Sequence, residues 1–148
     1  MDCVFCAIAA GRVPAHMLYE DDQFIVLLDI YPVRPAHLLV VTREHAQYLH
    51  QLPEEAQAGL MPLADRMQRA LRRAGYGRLG INLLVNDGPA ANQHVAHFHL
   101  HLIPRELNDL PAIVLRLFTR FLPLGRRRMH NRLERELHQL REALLEEY

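Results

Sequence analysis

Four of the ten histidines in this 148-residue chain fall within eight positions, in Asn92-Gln93-His94-Val95-Ala96-His97-Phe98-His99-Leu100-His101-Leu102-Ile103-Pro104-Arg105. From His97 to His101 every second residue is a histidine, and Phe98, Leu100 and Leu102 alternate with them. Side chains alternate between the two faces of a β-strand. Read as a strand, the segment turns Ala96, Phe98, Leu100 and Leu102 into a core and sets Val95, His97, His99, His101 and Ile103 on the other face. Imidazole titrates near neutrality and serves as base, nucleophile or metal ligand. Three polar rings on one face cost solvation unless hydrogen bonds or a ligand satisfy them. His16, His50, His130 and His138 lack such company and read as structural or surface residues.

Residues two apart on a strand are separated by about 6.6 Å, so neighbouring imidazoles can share one ion, whereas three in succession span about 13 Å. A division of labour follows, with an end histidine as ligand and another free for chemistry. The only cysteines, Cys3 and Cys6, are spaced C-x-x-C. Nothing precedes them that could be the strand of a redox βαβ unit. Two thiolates with two histidines would close a tetrahedral zinc site with no position left for water, hence a structural one. A free neutral histidine can attack phosphorus and form a P–N bond that water then cleaves. The loop Asp87-Gly88-Pro89-Ala90-Ala91-Asn92-Gln93 is small and turn-forming, so its backbone N–H groups can approach an anion. Asn86 and Gln93 add neutral donors for charge on phosphoryl oxygens.

The elements that must hold these groups follow from periodicity. Residues 3–10 have helical character up to Gly11; Leu18–Glu20 and Phe24–Asp29 read as strands joined by Asp21-Asp22; and His37–Thr42 reads as a buried strand. Two prolines make 31–35 a loop. Pro53 suits the first position of a helix whose inner stripe is Leu60, Leu63, Met67 and Leu71, with a kink or break expected at Pro62. Gly80–Asn86 is a further strand, and the histidine strand ends at Pro104. Strands segregated from helices in this way predict an α+β fold: an antiparallel sheet of about five strands with helices packed on one side. Beyond it lies a largely helical C-terminal extension. Ile113–Leu124 is apolar with interspersed arginines, and Arg126-Arg127-Arg128 reads as a solvated helix start or loop. Leu133, Leu137, Leu140 and Leu144 form an amphipathic stripe between Arg132 and Tyr148, for packing on the domain or against a second subunit. The division is a catalytic unit at 1–105 and an extension at 106–148.

Composition excludes some partners. Lys+Arg and Asp+Glu number 17 each, which makes no electrostatic case for nucleic acid or an anionic membrane. No apolar run approaches the ~20 residues of a membrane span. Met1-Asp2-Cys3 offers no basic region ahead of an apolar stretch, so no signal peptide is expected and the cytoplasm is the default.

His97-Phe98-His99-Leu100-His101-Leu102-Ile103 resembles the histidine-triad motif, His-φ-His-φ-His-φ-φ with φ hydrophobic. The resemblance extends upstream through Cys3-Val4-Phe5-Cys6-Ala7-Ile8, Tyr19-Glu20-Asp21-Asp22, Leu28-Asp29-Ile30-Tyr31-Pro32, Pro35-Ala36-His37-Leu38-Leu39-Val40 and Glu44-His45, and covers about residues 3–105. It implies a nucleotide hydrolase or nucleotidyl transferase that attacks the α-phosphate of a nucleoside phosphoramidate or dinucleoside polyphosphate through a nucleotidyl-histidine intermediate. The alternative is a nucleotide-binding or scaffolding protein with little turnover. By resemblance His99 is the nucleophile, and His101 and Gln93 contact the phosphate or leaving group. Asp29 holds the ribose, Asn86 lines the same site, and Leu27, Leu28 and Ile30 wall the nucleobase pocket. Cys3, Cys6, His45 and His97 correspond to a structural zinc set, with His37 an alternative to His45. A purine nucleotide substrate and a homodimer are also implied; the leucine stripe, which lies outside the resemblance, could extend that interface. Two departures stand out: Asn92 where the family favours a small residue, and His94 where serine, threonine or glutamate is common. His94 is therefore expected at the substrate, either as an acid for the leaving group or as a bystander.

Overall fold

A computed structural model describes residues 2–147; Met1 and Tyr148, the ends of the two expected segments, lie outside the described residues. Five strands form one antiparallel sheet in the order β1-β2-β3-β5-β4. They are β1 (Met17–Glu20), β2 (Phe24–Leu28), β3 (Leu38–Thr42), β4 (Ile81–Val85) and β5 (His99–Pro104). The helices are α1 (Val4–Ala9), α2 (Glu54–Arg73), α3 (Leu110–Thr119) and α4 (Arg126–Leu145). The expected strands are all present, four of them within a residue of the expected bounds. The turn at Asp21-Asp22 has a specific cause: Asp21 Oδ1 accepts the N–H groups of Gln23 and Phe24 at 2.8 and 2.7 Å.

The histidine strand β5 is interior, paired with β3 through Leu39↔His101 and Val41↔His99 and with β4 on its other side. Alternation then sorts the faces. Leu100 and Leu102 join Val26, Leu28, Leu38 and Val40 in the main core beneath α2 and α4. Ile25, Leu27, Leu39 and Val41 face the other way, against Phe5 of α1. The long helices thus cover one face, and the six-residue α1 covers the other, beside the histidines.

Three expectations change. The histidine strand begins at His99, so His97 precedes it in a bend closed by its own N–H donating to Val95 O at 2.8 Å. Ala96, expected in the core, is exposed as a result. Pro62 does not break α2, which runs unbroken from Glu54, with Pro53 as its N-cap. Pro62 and Ala58, whose carbonyl loses its intrahelical donor, are both exposed, so water can satisfy that oxygen.

The leucine stripe of α4 is buried within the same chain: Leu133, Leu137, Leu140 and Leu144 belong to the main core, which leaves them unable to extend a subunit interface. Arg126–Arg128 form the exposed first turn of α4. Glu136 of α4 is also buried; it accepts the Ala36 N–H at 3.1 Å and pairs with Arg132 at 2.8 Å. By contrast α3 buries none of its residues. Its start is anchored by Asp109, which pairs with Arg105 and Arg34; the bonds from Arg105 hold the Asp109 carboxyl down at about 2. Among the described residues no helix is long and apolar enough to cross a membrane.

Candidate active site

Each ring of the histidine row is held by a different partner, and the partners determine which nitrogen carries the proton. His99 lies at the start of β5, buried against Phe5, whose ring centroid is 5.0 Å away. Its Nδ1 is 2.7 Å from the carbonyl oxygen of His97. A carbonyl only accepts, so Nδ1 carries the hydrogen and the neutral ring keeps its lone pair on Nε2. Burial lowers the pKa of His99 against the opposing hydrogen bond, which favours that neutral form.

His101 receives its tautomer through a relay that begins in the β2–β3 loop. The Val33 N–H donates to His37 Nδ1 at 3.2 Å, so His37 carries its hydrogen on Nε2. That Nε2 lies 2.9 Å from His101 Nδ1 and donates to it, which places the hydrogen of His101 on its own Nε2. Nε2 of His101 is buried and meets no partner among the described residues. An unpaired buried donor is costly unless a ligand takes it up. Burial, reinforced for His101 by His37, pushes both rings down to about 3, so neither is charged near neutrality. Asp29 is buried beside them, with Oδ1 accepting the Tyr31 N–H at 2.8 Å and Oδ2 3.7 Å from His37 Nε2.

The remaining nominated residues surround this centre unequally. Leu27 lies on the α1 face with Ile25 and Leu39, whereas Leu28 sits fully buried in the helical core on the opposite face. The pleat makes consecutive residues diverge, so Leu28 is not a wall of a pocket on the histidine side. Ile30 is half-exposed and lines a cavity of about 310 Å³ with Tyr31. Asn86 is half-buried. Gln93 is engaged locally: its amide nitrogen donates to Gln47 O at 2.9 Å and its oxygen accepts the Gly88 N–H at 3.0 Å, closing the loop ahead of β5. In that loop Asn92 adopts a left-handed conformation with φ 63°. His94 is exposed and stands edge-on to Phe121 at 6.3 Å between ring centroids.

His97 belongs to a second cluster. Its Nε2 lies 2.6 Å from the Thr42 carbonyl oxygen and donates to it, which leaves Nδ1 as the lone-pair nitrogen. Around that nitrogen stand Cys3 Sγ at 3.3 Å, Cys6 Sγ at 3.5 Å and His45 Nδ1 at 3.1 Å, with Cys6 Sγ 3.3 Å from His45 Nδ1. A tetrahedral zinc with usual bond lengths separates ligand nitrogens by about 3.3 Å and nitrogen from sulfur by about 3.5 Å. The donor set, the spacing and the backbone carbonyl that orients His97 all fit zinc. Burial, and then the proximity of Cys3, push the Cys6 thiol up; a bound cation reverses that effect. Of the two candidates, His45 is the histidine in this cluster, and His37 lies in the relay.

The sequence reading missed the work of His37. Its signal was present: His37, Leu39 and Val41 alternate onto the face that carries His101 and His99 on the neighbouring strand.

Comparison with known proteins places this geometry in context. The HIT domain family matches residues 10–108. The adenosine 5′-monophosphoramidase of Schizosaccharomyces pombe is 37% identical over 105 residues, covering 71% of this chain and 75% of that protein. The adenylylsulfatase of Arabidopsis thaliana is 38% identical over 108 residues, 73% of this chain and 54% of that protein. Among solved structures, a zinc-bound histidine triad family protein from Mycobacterium smegmatis superimposes with a TM-score of 0.78 at 37% identity, covering 99% of this chain and 95% of the other.

Proposed function

This chain belongs to the HIT domain family and is a hydrolase of that family, and on that premise we propose that it attacks the α-phosphate of a purine nucleoside phosphoramidate, phosphosulfate or dinucleoside polyphosphate. The observation that carries the reading is the pair of fixed tautomers: a lone pair on His99 Nε2 beside an unpartnered N–H on His101.

In the first step the His99 Nε2 lone pair forms a bond to the α-phosphorus. The bond to the leaving group breaks and its electron pair goes to the departing atom. Positive charge grows on the imidazole, and the His97 carbonyl that accepts its Nδ1–H stabilises it. His101 donates its Nε2–H to a non-bridging oxygen, and the His37 ring behind it keeps that hydrogen in place. Asp29 accepts the ribose hydroxyls with the carboxylate capacity that the Tyr31 N–H leaves over. Leu27 and Ile30 wall the base, and Asn86 and Gln93 shape the far side, Gln93 by holding its loop closed. His94 stands on the leaving-group side. In the second step water attacks phosphorus, the P–N bond breaks, and its electron pair returns to His99 Nε2 as one water proton is released. The residues to 105 carry this chemistry.

Cys3, Cys6, His45 and His97 would hold zinc as a closed four-ligand tie between the N-terminus and the segment ahead of β5. A homodimer is supported by the edge strand β4, whose Leu83 and Leu84 are exposed on opposite faces. Cytoplasmic residence completes the proposal. Rapid acid-free quenching with α-³²P-labelled nucleotide tests it: label should be retained on His99 in the wild type and absent from His99→Ala. Nucleotide binding without any trapped or turned-over label would instead make this a binding protein.

A further inference from the structure

Outside the residues matched by the family, the end of α3 reaches the same site. Arg116 Nε donates to the Pro32 carbonyl at 3.0 Å and ties α3 to the β2–β3 loop. One turn later Phe121 stands between the two sides of the pocket, 5.0 Å from the Tyr31 ring and 6.3 Å from the His94 ring. The Arg120 guanidinium lies over Phe121, 4.7 Å from its centroid. Among the described residues Arg120 makes no ion pair. Arg116 and Arg120 also line the cavity that Ile30 and Tyr31 open onto.

A positive charge without an ion-pair partner among the described residues, packed on an aromatic ring that reaches from Tyr31 to His94, is a place for an anion. We propose that Arg120, positioned by Phe121, receives the leaving group, and that this enzyme therefore prefers nucleotides whose leaving group departs as an anion over those that release an amine.

The chemistry separates the two classes. When the P–O bond to sulfate or to a second nucleotide's phosphate breaks, the electron pair stays on an oxygen that is already stable as an anion. A guanidinium lowers the cost of that added charge. When a P–N bond to an amine breaks, the departing nitrogen needs a proton, and a guanidinium does not supply one at neutral pH. Arg120 is close enough to disfavour a charge on both His37 and His101, so its field reaches the relay as well. That makes it a cation beside the two neutral rings of the relay.

The inference rests on the nucleotidyl-transfer reading above, and the test separates the two. Turnover of adenosine 5′-phosphosulfate and adenosine 5′-phosphoramidate is measured for wild type, Arg120→Gln, Arg120→Lys and Phe121→Ala. Arg120→Gln should lower kcat/KM for the phosphosulfate by about 100-fold and leave the phosphoramidate within about 3-fold. Arg120→Lys should recover part of the loss and Phe121→Ala should reproduce a smaller share of it. The phosphoramidate rate reports on folding in every variant. Equal losses on both substrates, or none on either, overturn the role of Arg120 alone. A wild type that turns over neither substrate overturns the underlying reading and this inference with it.

Discussion

His97 and His99 are two residues apart and held by the same device, a ring N–H donated to a backbone carbonyl, yet they present opposite nitrogens. His97 gives its Nε2–H to Thr42 and turns Nδ1 toward two sulfurs and a second imidazole. His99 gives its Nδ1–H to His97 and keeps Nε2 for an incoming atom. One ring is built to hold and the other to react. The histidine pattern brings the rings together; the carbonyl that each one meets assigns its work.

The contrast is broken or sharpened by substitution. His99→Ala should cost on the order of 10⁴-fold or more in kcat with thermal stability and nucleotide binding retained. A loss of less than tenfold would erase the distinction. His97→Ala should act the other way: zinc content falls below about half an equivalent, stability drops by a few kcal/mol, and the rate falls about 10- to 100-fold. Elemental analysis after dialysis and calorimetry read the first two effects.

Acid should separate the relay from the metal cluster. His37 and His101 sit near 3 in the folded protein against 6.5 unfolded, so the unfolded chain binds protons that the folded one refuses. Their contribution is complete above 6.5 and is lost as pH falls toward 3, at up to about 1.4 kcal/mol per pH unit for each ring. Urea unfolding between pH 7 and 4 measures that slope, and His37→Leu should make it shallower. The smallest effect is expected at Thr42→Val. It removes the hydroxyl that donates to Glu44 O at 3.0 Å but leaves the carbonyl that orients His97. Stability should fall by about 1 kcal/mol with zinc content unchanged; lost zinc would mean that the side chain, not the carbonyl, positions the ring.

Alternation made the sheet legible. Leu100 and Leu102 against His99 and His101 gave the two faces of β5 directly, and turn chemistry at Asp21 gave the first hairpin. Where the reading failed, a local pattern met a tertiary fact. His97 shares the spacing of the strand but belongs to the bend before it, because its N–H closes back on Val95. Leu28 is next to Leu27 in sequence and across the sheet in space. Pro62 survives in a helix because its missing bond faces water. The zinc-type cluster was legible as residue types, and the geometry selected His45. Arg120 and Phe121 carried no pattern of their own: only the path of α3 across the β2–β3 loop brings them to the histidines.

The buried face of α4 has a consequence for how this protein is made. Leu133, Leu137, Leu140 and Leu144 pack α4 against α2 and β1 in the main core, and the loop ahead of His37 is held by Glu136. All five lie downstream of every catalytic group. During synthesis, at about 5–20 residues per second, the sheet is complete in sequence several seconds at most before its cover emerges. A nascent chain halted before 126 should therefore expose the apolar faces of α2 and β1 that α4 covers and be cut readily by protease there, and extension through Leu145 should close them. Competence for nucleotide would then arrive only once α4 has emerged and docked.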